Sequence, residues 1–167
     1  MSDPYEEIIE GVRVLRFAPG PRHEQIVARL HQRVALAVAG LHTSRMLPPR
    51  APVRLSPDNI IRPDLALVTT ATEKLWLAAE VISSEDHHAD TVDKKSLYQE
   101  LRLPRVWMVD PRYDNVEVYH GTAHGLALKH ILSQRELLTE ALLPGFQFGL
   151  HELFAGGLPS APGQYGI

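Results

Sequence analysis

The chain has 167 residues, of which 44% are hydrophobic and 22% are charged, and these proportions are typical of a soluble globular protein with one core. Its formal net charge of -3 excludes a protein that binds nucleic acid through an overall positive charge, so any such contact would need a local basic surface. The absence of cysteine excludes disulfides and thiolate metal sites.

No segment has the pattern of a targeting or membrane sequence. The first residues, MSDPYEEIIEG, lack a basic stretch followed by an apolar one, and no apolar run approaches the roughly 20 residues of a membrane span. We therefore expect a cytoplasmic protein without membrane contact. We further expect one domain over residues 1–155 and a loosely held tail, rich in glycine and proline, over residues 156–167.

The first part of the chain predicts a hairpin and a long helix. Residues 6–19 alternate in polarity around Gly11, which predicts two short strands. The candidate inward positions of this hairpin are Ile9, Val12, Val14 and Phe17. Over residues 22–39 apolar side chains recur at helical spacing after Pro21, which suits the first turn of a helix. Residues 41–62 contain four prolines and little periodicity, and we interpret them as loops with at most one irregular strand.

The second part of the chain predicts buried strands around another helix. The predicted strands are LALVTT (65–70), LWLAAEVIS (75–83), RVWMVD (105–110), VEVYH (116–120) and ALKHIL (127–132). The predicted helices cover residues 89–102, before Pro104, and residues 150–154. This order of elements indicates an α/β protein of the α+β type, in which a mixed β-sheet is flanked by helices.

Several charged residues occupy positions where burial is expected. Glu80 lies inside the apolar run LAAEVIS, where a carboxylate must be paired or must bind a metal. Asp64 follows Pro63 at the head of the preceding strand. On the predicted helix, Lys94 projects from the same side as Asp90, Leu97, Tyr98 and Leu101. Two acids and one lysine are therefore expected to converge.

Such a cluster has a specific chemistry. Two carboxylates beside a lysine form a site of hard oxygens suited to magnesium, which can promote hydrolysis of a phosphodiester while the lysine orients the nucleophile or stabilises charge at phosphorus. The alternative interpretation is a solvated Asp90–Lys94 pair near the start of a helix, worth only a few tenths of a kcal/mol.

The segment RPDLALV followed by EVI resembles the PD-(D/E)XK nuclease superfamily, whose fold is a mixed sheet flanked by helices. Asp64 and Glu80 match the two acids. The lysine normally stands two residues after the second acid, but this position is Ile82.

The Uma-type restriction endonuclease family is a closer match, because it moves the lysine onto the following helix. Its run of acid, serine, aspartate, lysine and tyrosine is matched by Glu80, Ser83, Asp90, Lys94 and Tyr98. The segments PRHEQIVARL, LPRVWMVDP and LLPGFQFGLHELF are also similar to this family, although Val106 replaces its usual tyrosine. The resemblance implies a restriction-endonuclease-like fold and a DNA endonuclease that uses Mg²⁺ or Mn²⁺.

The resemblance also implies roles for individual residues. Asp64 and Glu80 would be metal ligands together with the backbone carbonyl of Val81, and Lys94 would be the relocated catalytic lysine. Secondary candidates are His23, which matches the histidine of the family's first helix, Glu24, Asp90 and Tyr98. His87 and His88 invite comparison with a zinc site, but adjacent loop side chains seldom reach one metal, so we interpret them as a polar surface loop.

Two functions from different classes follow. The first is a cytoplasmic, metal-dependent endonuclease whose partner is DNA, and a homodimer would supply the two sites needed to cut both strands. The second is a non-catalytic nucleic-acid-binding or regulatory module that retains the nuclease fold, which Ile82 and the acidic net charge favour. A third interpretation is a scaffold in which Asp90–Lys94 is only a salt bridge.

Overall fold

The computed structural model describes residues 3–83 and 89–156. His87 and His88, and the predicted tail apart from Gly156, lie outside the described residues. Within these ranges the strands are β1 (Tyr5–Ile9), β2 (Val12–Arg16), β3 (Ser44–Met46), β4 (Val53–Ser56), β5 (Asn59–Ile61), β6 (Leu65–Thr69), β7 (Leu75–Val81), β8 (Arg105–Asp110), β9 (Asn115–Thr122), β10 (Gly125–Ser133), β11 (Leu137–Thr139) and β12 (Gln147–Gly149). The helices are α1 (Pro21–Val38), α2 (Lys95–Glu100) and α3 (Leu150–Leu153), and a π-helical turn (Ala89–Lys94) leads directly into α2.

A mixed sheet forms the centre of the molecule. Its strands lie in the order β10-β9-β8-β7-β6-β3, and β7 pairs with β8 in parallel while the other neighbours are antiparallel. A parallel pair needs a crossover, which the π-helical turn and α2 supply. No helix within the described residues is long and apolar enough to cross a membrane.

The two faces of this sheet carry separate apolar clusters. On one face, α1 buries Ile26, Leu30 and Val34 against odd-numbered strand residues such as Leu77 and Ala79. On the other face, even-numbered residues such as Ala78 and Met108 pack with Leu97 and Tyr98 of α2 and with Ile9 and Ile61. Glu80 has the parity of this second face, so its carboxylate faces α2 and the smaller sheet.

The smaller sheet has the strand order β2-β1-β5-β4, and it covers the second face. The predicted hairpin is present, but Val12 and Phe17 are exposed, so their inward assignment was wrong. Glu7 and Arg16 are instead among the buried residues of the hairpin, and both have polar partners in the interior.

Residues 41–62 were predicted as loops with at most one irregular strand, and the predicted number of strands was wrong. The segment forms β3, β4 and β5, each three or four residues long, with β3 before Pro48 and the other two after Pro52. Strands this short have little periodicity of their own and are held by distant partners, such as the pairing of Ser44 with Thr69. The strands β11 and β12 were missed for the same reason.

The predicted helix over residues 89–102 is present in two parts, because its first six residues are π-helical. Asp90 and Lys94 do point inward with Leu97 and Tyr98, as predicted. Leu101, which was predicted to project from the same side, is 43% exposed, since α2 ends one residue earlier.

A candidate active site at the ends of β6 and β7

Asp64 immediately precedes β6, and Glu80 lies near the end of the neighbouring strand β7. The antiparallel register pairs Leu65 with Ala79, so its continuation by one residue would bring Asp64 opposite Glu80. Both side chains are buried, with 3% and 1% exposure. The hydrophobic run of β7 therefore carries a carboxylate into the interior, where it needs partners.

Glu80 finds its partners on the crossover between β7 and β8. The Lys94 ammonium lies 2.6 Å from Oε1 of Glu80, and the Tyr98 hydroxyl donates a hydrogen bond of 2.5 Å to the same oxygen. Lys94 and Tyr98 are four residues apart at the junction of the π-helical turn and α2, so one side of this segment presents both donors. Single π-helical turns of this kind are frequent at functional sites.

The hairpin contributes a third acid and a second cation, which the sequence interpretation missed. Oε2 of Glu7 lies 2.9 Å from Lys94 Nζ and accepts a hydrogen bond of 2.7 Å from the backbone N–H of Arg62. Arg16 pairs with Oε1 of Glu7 and, at 2.7 Å, with Oδ1 of Asp90. The alternation that places Ile9 inward also places Glu7 inward, and this was the available signal.

Asp64 is held by a separate set of groups. The backbone N–H of Val81 donates to Oδ2 (2.8 Å), and Arg50 donates to Oδ1 (2.9 Å). Arg50 also pairs with Glu24, which lies at the edge of the site with its side chain 34% exposed. Arg50 was considered in the sequence only among scattered surface arginines, and it has a left-handed backbone with φ of 57°.

His23 connects Asp64 to the backbone carbonyl of Val81. Its Nε2 lies 2.7 Å from the Val81 oxygen and 3.5 Å from Oδ2 of Asp64. Because a carbonyl oxygen can only accept, this contact places a proton on Nε2. The candidate side chains that the structure describes are thus in one region, with Asp64, His23 and Glu24 at one side and Glu80, Lys94, Asp90 and Tyr98 at the other.

Burial and neighbouring charges shift the pKa values of Asp64 and Glu80 in opposite directions. Burial raises the pKa of Glu80 to about 8, because nearby Asp90 and Asp64 add to the loss of hydration and outweigh Lys94. Burial also acts on Asp64, but the contact with His23, supported by Lys94 and the Val81 N–H, lowers its pKa to about 2. Asp64 is therefore a carboxylate at neutral pH, whereas Glu80 holds a proton more readily.

Lys94 remains charged. Burial opposes its ammonium form, yet the carboxylates of Glu7, Glu80 and Asp90 raise its pKa well above the usual range. The same neighbourhood lowers the pKa of Glu7, since Lys94 and Arg16 outweigh the effect of burial.

The oxygens present suit a hard divalent cation. Carboxylates of Asp64 and Glu80 and the Val81 carbonyl are the ligand types that Mg²⁺ and Mn²⁺ prefer. The Val81 oxygen and Oδ2 of Asp64 both lie within 3.5 Å of His23 Nε2. In the part of the chain that the structure describes, no three His, Asp or Glu side chains form a ready metal cluster, so water would complete the shell.

The cluster combines buried acids and buried bases, and part-buried Arg50 and, when protonated, His23 add positive charge beside Asp64. The buried acids are Glu7, Asp64, Glu80 and Asp90, and the buried bases are Arg16 and Lys94.

Comparison with known proteins gives an independent result. The model of the family Uma2, described as "Putative restriction endonuclease", matches residues 2–152. No significant match is found among curated proteins. A crystal structure of a putative nuclease belonging to DUF820 from Anabaena variabilis has a TM-score of 0.76, with 14% identity over 92% of this chain and 91% of that chain. This similarity confirms the predicted fold, a mixed sheet flanked by helices.

Proposed function

The chain belongs to the Uma2 family, and from this premise we propose that it is a DNA endonuclease that hydrolyses phosphodiester bonds with Mg²⁺ or Mn²⁺. The observation that carries the proposal is the approach of the Lys94 ammonium to Glu80, at 2.6 Å, on the strand that neighbours Asp64. This is the combination of two acids and a lysine that the resemblance requires, although Ile82 stands at the usual lysine position.

The proposed metal ligands are two carboxylates and one backbone carbonyl. Asp64, Glu80 and the Val81 carbonyl would hold the cation, which supplies polarisation of the phosphoryl oxygen and a lower pKa for a coordinated water. Asp64 is ionised at neutral pH and is ready to bind, whereas Glu80 would give up its proton on binding.

Lys94 acts as a fixed positive charge in this proposal. Its raised pKa keeps the ammonium protonated at neutral pH, so it suits stabilisation of the negative charge that develops at phosphorus and does not suit a role as a general base. Glu7, Glu80 and Tyr98 hold this region of the site in place by hydrogen bonds and ion pairs.

Cleavage of circular DNA tests the proposal. Supercoiled plasmid and circular single-stranded DNA are incubated with the intact protein and with Mg²⁺ or Mn²⁺, and EDTA serves as the blank. We expect cleavage that is lost in Asp64→Asn, Glu80→Gln and Lys94→Met but kept in Lys95→Met. Lys95 is the matched control because it is the adjacent lysine and its ammonium lies over the ring of Tyr119, 4.5 Å from the centroid. Equal cleavage by all of these variants would reject the assignment.

A non-catalytic nucleic-acid-binding or regulatory module is the second candidate. The observation that favours it is the engagement of both Asp64 oxygens, one by Arg50 and one by the Val81 N–H. Calorimetric titration separates the candidates. Uptake of Mn²⁺ that disappears in Glu80→Gln supports the nuclease, whereas DNA binding without any uptake of Mg²⁺ or Mn²⁺ supports the module.

A further inference from the structure

The proposed catalytic groups lie below the protein surface. Asp64, Glu80 and Lys94 are 3%, 1% and 0% exposed, so a phosphate must enter the protein to reach them. The phosphates of a regular duplex lie on the outside of a wide, stiff helix, so they cannot enter a narrow opening. The shape of the entrance therefore bears on the kind of nucleic acid that the site accepts.

A cleft of about 320 Å³ leads from solvent to this site. Its walls are the first turn of α1, residues 82–83 after β7 and the turn after β8. His23 lines the cleft and also contacts the Val81 carbonyl, with Asp64 Oδ2 only 3.5 Å away. The cleft therefore reaches the histidine that contacts two of the oxygens proposed to bind the cation.

Two arginines stand on the walls of the cleft. Arg22, on α1, lies 2.8 Å from Asp114 and donates to the carbonyl of Phe154 at 3.5 Å. Arg112, on the turn after β8, pairs with Asp110 at 2.9 Å. The two arginine side chains are 33% and 35% exposed. The Arg22–Asp114 pair is exposed and contributes little, so a phosphate can replace Asp114. Arg112 binds Asp110 through Nε and Nη2, and its solvent-exposed part can contact a phosphate in addition.

An exposed aromatic ring lies beside the cleft. Tyr113 follows Arg112 in the turn, is 71% exposed, and has the Arg112 guanidinium 5.4 Å from its ring centroid. An exposed ring next to a cation is the arrangement on which unpaired bases stack in proteins that bind single strands. A base within a duplex is already stacked on its neighbours and has no free face to offer.

We propose that the cleft binds one unpaired strand, with Arg22 and Arg112 contacting backbone phosphates and Tyr113 stacking on a base. A volume of about 320 Å³ is at the small end of ligand sites and corresponds to about one nucleotide. The substrate of the site is accordingly single-stranded or locally unpaired DNA. The assignment of this substrate rests on the proposed nuclease function, but the cleft as a binding site for a strand can be tested without any cleavage.

Fluorescence anisotropy with labelled oligonucleotides in EDTA provides that test. The wild-type protein is titrated with a single-stranded DNA of mixed sequence and with the corresponding blunt duplex. We expect tighter binding of the single strand. Arg22→Gln and Arg112→Gln should each weaken this binding severalfold, and each should reduce the slope of log K against log salt by about 0.7, the value for one phosphate contact on a single strand.

The controls use arginines in comparable ion pairs away from the cleft. Arg33 lies on the same helix as Arg22 and pairs with Glu152 at 3.0 Å, with its side chain 41% exposed. Arg45 pairs with Glu73 at 2.6 Å. Arg33→Gln and Arg45→Gln should bind the single strand as the wild type does. Tyr113→Ala should lose about fivefold or more in affinity, and Tyr113→Phe should restore it, because stacking needs only the ring.

The outcomes separate this inference from the nuclease assignment. If the cleft variants lose binding and no metal condition gives cleavage, the cleft is supported as a strand-binding site and the nuclease function is rejected. If the wild type cleaves DNA and the cleft variants bind as the wild type does, the strand-binding role of the cleft is rejected and the nuclease function is supported. Tighter binding of the duplex, equal losses in Arg33→Gln and Arg22→Gln, or no binding of either DNA rejects the cleft.

Discussion

Lys94 Nζ lies 2.6 Å from Oε1 of Glu80, and neither side chain has appreciable contact with solvent. The position two residues after Glu80 along β7 belongs to Ile82, which packs in the apolar cluster of the second sheet face. The ammonium reaches the carboxylate from the π-helical turn before α2 instead. The acid and the lysine are thus in contact although Lys94 does not stand two residues after Glu80.

The charges of Lys94 and Glu7 should contribute to stability in a non-additive way. Lys94→Met removes the buried cation that Glu7 and Glu80 contact, so the Glu7 carboxylate loses a partner, and we expect a loss of about 3–5 kcal/mol in the free energy of unfolding. The double variant Glu7→Gln/Lys94→Met should recover about 1–3 kcal/mol relative to the sum of the single changes. Urea denaturation of the four proteins measures this coupling, and strictly additive losses would contradict it.

Glu80 should make the stability fall as the pH rises. Its pKa is about 8 in the folded protein and near 4.5 in an unfolded chain, so between these values the folded state keeps a proton that the unfolded state releases. The stability contributed by neutral Glu80 is complete below pH 4.5 and is lost as the pH approaches 8. Glu80→Gln cannot ionise and should show a flatter decline.

The comparison of Glu80→Gln with the wild type is needed because the raised pKa of His23 changes stability with pH in the same direction. Contacts with Asp64 and Val81 raise the pKa of His23 against the effect of burial, so its stabilisation is also present at low pH and lost as the pH rises. His23 is the same in both proteins, and its contribution cancels in the difference. Parallel curves of unfolding free energy against pH would contradict the raised pKa of Glu80.

Arg50 should compete with a cation for Asp64. Its guanidinium donates to Oδ1 of Asp64 at 2.9 Å, so a bound metal must share or displace this contact. We expect Arg50→Gln to bind Mn²⁺ severalfold more tightly than the wild type, as measured by the electron paramagnetic resonance signal of free Mn²⁺. Arg54→Gln, which changes an exposed arginine of β4, should match the wild type. Weaker binding by Arg50→Gln would mean that Arg50 instead holds Asp64 ready for the metal.

The Tyr98 hydroxyl should contribute to stability through Glu80. Tyr98→Phe removes the donor that lies 2.5 Å from Oε1 of Glu80 in a fully buried setting, and we expect a loss of about 1–3 kcal/mol. Tyr113→Phe is the control, because its exposed hydroxyl can exchange its partners for water. Thermal or urea unfolding of the two variants measures the difference, and equal stability would show that Lys94 alone satisfies Glu80.

The proposed metal-binding acids and the lysine were accessible to sequence reasoning because each breaks a local pattern. Glu80 interrupts an apolar strand, and Lys94 falls on the helical side that carries Leu97 and Tyr98. Periodicity within one strand or one helix is enough to identify such positions. The existence of the longer elements, from α1 to β10, was predictable for the same reason.

Glu7, Arg16 and Arg50 were not predicted because their roles depend on distant segments. Arg16 and its partner Asp90 are 74 residues apart, and no spacing rule relates a hairpin to a helix at that distance. The exposed apolar residues Val12 and Phe17 also made the outer side of the hairpin look like its inner side. Arg50 lies in a proline-rich connection, where the short strands β3 and β4 gave no pattern to locate it.

The position of Glu7 and Arg16 on the smaller sheet has a consequence for the order in which the protein folds. The central sheet and its crossover can pair their strands first, but the ammonium of Lys94 and the carboxylate of Asp90 gain their full set of partners only when the hairpin docks. We therefore expect docking of the hairpin, which completes the proposed active site, to be the last cooperative step of folding. Local unfolding of the amino-terminal hairpin would then abolish the proposed activity while most backbone amides stay protected from hydrogen exchange.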